Sequence, residues 1–345
     1  MINVGIVGLG FMGATHIGAY LKAAAEGYPC RLAAVCDADP ARRSGKLPGT
    51  GNMETGSAVF DPTSVRAFAT PAEMLASDQV DLVDICTPTD THAEIAIAAL
   101  HAGKHVLVEK PVALTAEPIR RIAEAANRAG RLCMPAQCMR FWPSWTWLKA
   151  AIDDRRFGRL RAINFQRVGA MPTWSRFFID VARSGGASID LHIHDCDFIY
   201  HCLGRPEAVT SAGHVNHLST IYHYDDASLH VTAQGGWLAA PTPFRMRYLA
   251  EFEHATADFD IGRSPQLLLS RDGKSEPVDT GPLNGYDGEV RHLLTAIAER
   301  KTNDQLLATL GDAIDVSIIL ETEQYSAECG RRVRITWGVD EPPGH

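Results

Sequence analysis

Ile2-Asn3-Val4-Gly5-Ile6-Val7-Gly8-Leu9-Gly10-Phe11-Met12-Gly13 is the stretch whose reading decides the fold. Its first half is an apolar run of strand length. Its second half is G-x-G-x-x-G, and a helical pattern over 13–25 follows it, ending near Gly27. The glycine pattern is short and common; its place between a strand and a helix gives it meaning. Glycines there permit a tight turn and close backbone approach, and the helix N-terminus offers free N–H groups and a positive dipole end to a pyrophosphate. Gly8, Gly10, Phe11, Met12 and Gly13 are therefore expected to hold a dinucleotide.

Working outward, the next strand, over 31–36, ends at Asp37. A carboxylate at that point can accept hydrogen bonds from adenosine ribose hydroxyls and repels a 2′-phosphate, which favours NAD; Arg42 and Arg43 follow closely and keep NADP possible. Further strands are expected over 65–69, 80–86, 105–108 and 131–135. Thr70-Pro71-Ala72-Glu73 carries three helix-start signals, a Thr N-cap, Pro at the first position and Glu at the third. Helices are expected over 91–101 and 117–128, stopped by Gly103 and Gly130. Repeated strand–helix alternation predicts an α/β domain with a parallel, Rossmann-type sheet over residues 1–136.

From residue 137 to 345 the texture changes. Strand-like runs at 160–168, 208–214, 217–224, 228–235, 244–253, 257–261 and 266–270 are separated by turn residues, and helices are expected at 145–153, 187–202, 289–299 and 306–329. This predicts a second, α+β domain on a mostly antiparallel sheet. The Gly-rich stretch 44–56 reads as a surface loop.

Composition narrows the function. Residues of hydrophobic type make up 46% and charged residues 21% of the 345, and the net charge is −8, which gives no footprint for nucleic acid or an anionic membrane. No apolar run approaches a membrane span, no secretory leader is apparent, and the eight scattered cysteines include no CxxC pair. A cytoplasmic protein with reduced thiols and no metal is expected.

The tripeptide Glu109-Lys110-Pro111 ends the apolar run 105–108. A lysine at the end of a buried strand is costly unless its charge or proton is used, and X-Pro is the one peptide bond where cis is cheap. Thr87-Pro88 ends another strand and can lie along a dinucleotide, with His92 either facing the cofactor or lying on the surface. In the segment Gly185-Gly186-Ala187-Ser188-Ile189-Asp190-Leu191-His192-Ile193-His194, a helix from Ala187 puts Asp190 and His194 four apart on one face. An aspartate beside a histidine orients it and raises its basicity, as proton transfer requires. Arg140, Arg167, Trp174 and Tyr286 are candidates for a substrate pocket. The cluster His192, His194, Cys196, His201, Cys202 scatters around a helix and has no zinc spacing.

Taken together, these pieces resemble the glucose–fructose oxidoreductase / inositol dehydrogenase / rhizopine catabolism family of NAD(P)-dependent oxidoreductases. The resemblance is carried by Gly8 to Gly13, Thr87-Pro88 with His92, Ala102 to Pro111, Arg140-Phe141-x-Pro143, Gly185-Gly186-x-x-x-Asp190-x-x-x-His194 and Ser326-Ala327-Glu328-x-Gly330. It implies a Rossmann domain followed by an open, mostly antiparallel sheet that commonly serves oligomer contacts, a homodimer or homotetramer. It implies NAD(P), with Glu109 and Lys110 also beside the cofactor, a sugar or cyclitol substrate, and Lys110, Asp190 and His194 as the catalytic group. The alternatives are an enzyme that retains NAD(H) for redox-assisted glycoside cleavage or sugar–sugar exchange, and a non-catalytic NAD-binding regulator. Two departures stand out: the region 44–63 is long for a second βα connection, and His192 stands where glycine is common.

Overall fold

The computed structural model describes residues 1–47 and 60–337. Most of the Gly-rich stretch 44–56, and of the long connection 44–63, lies outside the described residues. The described chain divides into two compact units, residues 1–141 with 284–314, and residues 142–283 with 315–345. The stretch 284–314 thus returns to the first unit, so the units are not the two continuous segments, 1–136 and 137–345, that the sequence suggests.

In the first unit the strands are β1 (Ile2–Val7), β2 (Cys30–Cys36), β3 (Arg66–Phe68), β4 (Leu82–Ile85), β5 (His105–Glu109) and β6 (Cys133–Ala136). They form one parallel sheet in the order β3-β2-β1-β4-β5-β6. The order reverses beside β1, the point at which doubly wound sheets bind ligands. The helices are α1 (Phe11–Ala25), α2 (Pro40–Arg43), α3 (Pro71–Leu75), α4 (His92–His101) and α5 (Ala116–Ala129). Thr70 and Glu73 close the expected capping box on α3. α5 stops at Gly130, whose φ of 60° is left-handed, as its sequence position suggests. Strand residues are buried on both faces: one apolar cluster includes Val4, Ile6, Leu32, Leu82 and Leu107, the other Val7, Ala34, Val83, Ile85 and Val108.

In the second unit α6 (Pro143–Asp153) precedes β7 (Leu160–Ala170), and four helical segments follow: α7 (Arg176–Ile179), α8 (Val181–Ser184), α9 (Ala187–Asp190) and α10 (Ile193–Leu203). Then come β8 (Ala208–His214), β9 (His217–His223), β10 (His230–Leu238), β11 (Arg245–Phe252), β12 (Thr256–Asp260), β13 (Leu267–Arg271) and β14 (Lys274–Pro277). α11 (Gly285–Ala298) belongs to the first unit; α12 (Leu310–Cys329) and β15 (Val333–Arg334) complete the chain. The nine strands run β14-β13-β12-β11-β7-β10-β9-β8-β15, antiparallel except for β7 with β10. β11 alternates exposed and buried residues along its whole length. Its buried Tyr248 meets Trp145 of α6 edge-on at 5.1 Å and stacks on Phe259 at 5.4 Å, and this aromatic layer fixes which face is core.

Two strands were not expected from sequence. β14 is exposed at every residue and has no hydrophobic alternation, and β15 has two residues. The expected single helix over 187–202 is interrupted. α9 ends at Asp190, and the His192 N–H bonds the Ala187 carbonyl, a five-residue step, before α10 begins at Ile193.

Candidate active site

The glycine loop joins β1 to α1, and each glycine has a different steric reason. A Cβ on Gly8 would sit 2.7 Å from the Cys86 carbonyl oxygen, with φ at +91°. A Cβ on Gly13 would strike the Gly8 carbonyl oxygen. A Cβ on Gly10 would meet nothing within 4 Å. Gly8 and Gly13 therefore close the turn against the chain itself, whereas Gly10 keeps an approach open at the N-terminus of α1. Gly10, Phe11 and Met12 are half-buried there. No side chain caps α1, so its first N–H groups are available to an anion. A dinucleotide fits this cradle.

Asp37 follows β2 as expected, and its carboxylate is already engaged. Oδ2 accepts the Leu9 N–H of the loop at 2.7 Å, Oδ1 accepts the Asp39 N–H at 2.8 Å, and Arg42 Nη1 stands 3.4 Å from Oδ2. Arg43 donates to the Asp37 and Ala38 carbonyls at 2.6 and 3.0 Å. The two arginines are thus turned toward the Asp37 segment.

β1, β4 and β5 are neighbours, so the glycine loop, Thr87-Pro88 and Lys110 all leave the carboxyl ends of adjacent parallel strands. Lys110 is half-buried and its bond to Pro111 is cis. His92 neither lies on the surface nor turns to a cofactor. It is 1% exposed, with Nε2 2.8 Å from the Thr87 carbonyl and Nδ1 3.0 Å from the Pro111 carbonyl. It braces the two strand-end turns together. Burial lowers its pKa, against the two carbonyls that raise it.

Glu109, expected beside the cofactor, points inward. Its Oε1 lies 3.1 Å from Nε2 of His16, and its Oε2 accepts the Lys110 N–H at 3.0 Å. His16, on α1, is fully buried; Nδ1 is 2.8 Å from Asp84 of β4, and Nε2 is also 3.4 Å from Glu289 of α11. Burial acts to lower the His16 pKa, but Asp84 and then Cys86 outweigh it and hold it well above the usual imidazole value. Burial also acts to raise Glu109, and His16 and Lys110 overcome it and hold that carboxyl low. Glu289 is pushed up to about 7 by burial, opposed by His16 and reinforced by Glu109 and Asp84. Sequence reading missed this cluster, because its members are far apart in the chain and each alone reads as an ordinary polar residue. The donor atoms of His16, Glu109 and Glu289 lie within 4.8 Å of one another. Their charge is balanced by the chain's own groups: His16 and Lys110 as cations, Asp84 and Glu109 as anions, Glu289 protonated.

Two of the four expected substrate residues are committed elsewhere. Arg140, 2% exposed, donates from Nη1 to the Leu307 carbonyl at 2.8 Å and to Asp312 at 2.7 Å. Arg167, also 2% exposed, holds Asp195 through three contacts of 2.7 to 3.2 Å. Each is a buried cation that needs its carboxylate. Tyr286 lies against His16, ring centroids 6.1 Å apart. Trp174 is 48% exposed and packs edge-on against Phe178 at 5.1 Å.

In the second unit, Gly185 and Gly186 both have positive φ, 74° and 68°. A Cβ on Gly186 would lie 2.6 Å from the Val215 carbonyl, so this glycine serves the chain's own packing, where sequence suggested closeness to a ligand. From Ser184 to Ile199 every residue is buried except Asp190 and His194, which are half-buried. The two residues chosen from sequence are thus the two that open outward, although they stand on either side of the helix break. His192 does not enter a pocket. It is wholly buried, with Nε2 2.9 Å from Glu323 and 3.2 Å from the Tyr222 hydroxyl. A Cβ on Gly235 would fall 2.6 Å from the His192 Cβ, so that glycine makes room for the ring. Burial acts to lower the His192 pKa, and Glu323 reverses it to a net rise.

A doubly wound sheet with an open glycine cradle at its switch point defines a dinucleotide-binding protein. The comparisons name the family. Residues 2–137 match the "oxidoreductase family, NAD-binding Rossmann fold" model and residues 145–247 match the C-terminal domain model of the same family. The chain belongs to this family, the one that the sequence motifs resemble, and its cofactor is NAD. A scyllo-inositol 2-dehydrogenase (NAD(+)) of Bacillus subtilis is 34% identical over 263 residues, covering 75% of this chain and 67% of that protein. Inositol 2-dehydrogenase 2 of Saccharopolyspora erythraea is 34% identical over 214 residues, 62% of this chain and 57% of that protein. The matched stretch thus spans under three-fifths of that relative's length. Among solved structures, a levoglucosan dehydrogenase in complex with NADH and levoglucosan shares the fold, with a TM-score of 0.81 at 20% identity over 97% of this chain and all of that one.

Proposed function

We propose that the protein is an NAD-dependent dehydrogenase acting on a secondary hydroxyl of a cyclitol, a sugar or a sugar derivative. One observation carries the reading. The glycine cradle, the Thr87-Pro88 turn and Lys110 leave adjacent strand ends of one parallel sheet, so a lysine stands beside the place a dinucleotide would occupy. Relatives named for inositol and for levoglucosan supply the substrate class.

Gly8, Gly10, Phe11, Met12, Gly13, Asp37, Thr87 and Pro88 would hold the cofactor, whose nicotinamide, when bound, accepts the hydride. The Lys110 ammonium hydrogen-bonds the substrate oxygen and stabilises its developing negative charge. His194 takes the hydroxyl proton and Asp190 orients the hydroxyl or the imidazole. His92 and Glu109 support Lys110 and its turn without touching the cofactor, and Arg140 and Arg167 hold the fold. Trp174 remains the exposed aromatic candidate for a sugar face.

The same reading takes the protein as a homodimer or homotetramer that associates through the nine-stranded sheet. Its open face presents Ile221 and Leu249 at 40% and 46% exposure, beside a concavity of about 660 Å³ lined also by Asn164, Thr232 and Arg247. A cytoplasmic location belongs to this proposal; none of the helices described is long and apolar enough to cross a membrane.

The test is NADH production over a panel of cyclitols, aldoses, sugar acids and glycosides, each with NAD and with NADP. Turnover of a cyclitol or sugar with net NADH is expected. A protein that retains NAD(H) through dialysis and converts a glycoside without net NADH would overturn the dehydrogenase reading.

A further inference from the structure

We propose that His16 is a positioning residue for Lys110, acting through Glu109. The proposal rests on the reading of Lys110 as catalytic. Its structural basis is a chain of contacts within the first unit. α1 starts at the glycine cradle and carries His16 on its second turn. Nδ1 of that ring is fixed by Asp84 at 2.8 Å, and Nε2 faces Glu109 at 3.1 Å. Glu109 spends its other oxygen on the main-chain N–H of Lys110 at 3.0 Å. The helix that would bind the pyrophosphate is thereby linked to the backbone from which the lysine projects.

The link is also electrostatic. The groups facing the His16–Glu109 pair are Asp84 and Cys86 from β4, Tyr20 from α1, Tyr286 and Glu289 from α11, His92 from α4, and Lys110 itself. His16 and Lys110 are the cations that share Glu109. Both Glu289 oxygens are buried without a directed hydrogen-bond donor among the described residues, which suits a protonated carboxyl that adds no charge. Removing the His16 charge leaves Glu109 wholly to Lys110, whose ammonium then keeps its proton to higher pH. Removing the Glu109 charge leaves Lys110 facing His16 alone, and the ammonium gives up its proton at lower pH. A residue that only filled space would produce neither shift, and no packing defect would produce opposite ones.

The experiment compares wild type, H16Q, E109Q and the double variant by two readouts. One is kcat and KM against pH with the substrate found in the screen. The other is acetylation of the Lys110 amine against pH in cofactor-free protein, read by mass spectrometry. H16Q is expected to move both alkaline limbs up by about one pH unit, and to lower kcat roughly tenfold with the KM for NAD within about twofold. E109Q is expected to move both limbs down, and the double variant to return near wild type. Should H16Q not fold, E109Q alone decides, a downward shift supporting the proposal. Unmoved labelling curves, or shifts of the same sign in both variants, overturn it. Loss of the kinetic shifts with the labelling shifts intact overturns the catalytic reading of Lys110 instead.

Discussion

Arg167 offers the sharpest separation between fold and substrate. Replacing it with methionine keeps most of the side-chain volume and removes the guanidinium. Asp195 is 1% exposed and would lose all three of its contacts with Arg167, the shortest 2.7 Å. The guanidinium also lies 6.0 Å from the ring centre of Trp145, so the loss reaches the aromatic layer under the sheet. Breaking one side of a buried ion pair costs roughly 3–5 kcal/mol, because the remaining charge stays buried. For a unit of this size that corresponds to a fall in Tm of roughly 6–20 °C. Replacing both partners, Arg167→Met with Asp195→Leu, removes the stranded charge and should recover most of the loss. The assay is thermal unfolding by circular dichroism, with KM measured on the folded fraction. A variant with unchanged Tm and a strongly raised substrate KM would refute the argument and return Arg167 to the substrate.

Gly10→Ala should leave Tm within about 1 °C and weaken NAD binding at least tenfold, since its Cβ meets open space on the cofactor side; calorimetric titration checks it, and unchanged affinity would count against the cradle. Gly13→Ala should cost stability as well, because its Cβ strikes the Gly8 carbonyl. Asp37→Ala should lower the ratio of NAD to NADP use at least tenfold, as the loop loses its Leu9 anchor and the 2′-phosphate its repulsion. Glu289, raised to about 7 from an ordinary 4.5, holds a proton in the fold that the unfolded chain has released between those values. The folded state there binds more protons than the unfolded one, so this residue makes stability fall as pH rises from about 4.5 through about 7, by roughly 3 kcal/mol in all. Glu289→Gln should flatten that slope, and denaturant unfolding across the range would show a slope unchanged if the reasoning is wrong.

Sequence carried most of the first unit because its signals are local. Strand runs buried on both faces, the capping box at Thr70 and the glycine that stops α5 are each written within a few residues. The open glycine in the loop is legible for the same reason. What could not be read is whatever depends on a distant partner. Arg140 and Arg167 look like pocket cations until Asp312 and Asp195 are beside them, and His92 looks like a ligand until the Thr87 and Pro111 carbonyls are placed on its ring. His16 draws its role from Asp84, Glu109 and Glu289, none of them near it in sequence. The interruption between Asp190 and His194 carries no proline and no glycine; it arises where His192 turns inward to Glu323, and that partner lies on the last helix.

The central claim is that Lys110 stabilises charge on the substrate oxygen during hydride transfer. The most direct measurement is the rate of NADH formation by Lys110→Ala on the best cyclitol or sugar substrate, with NAD affinity measured in parallel. The account predicts a fall in kcat of at least about a hundredfold with NAD binding retained, the scale expected for losing one preorganised charge-stabilising donor. Near-normal turnover in that variant would contradict it.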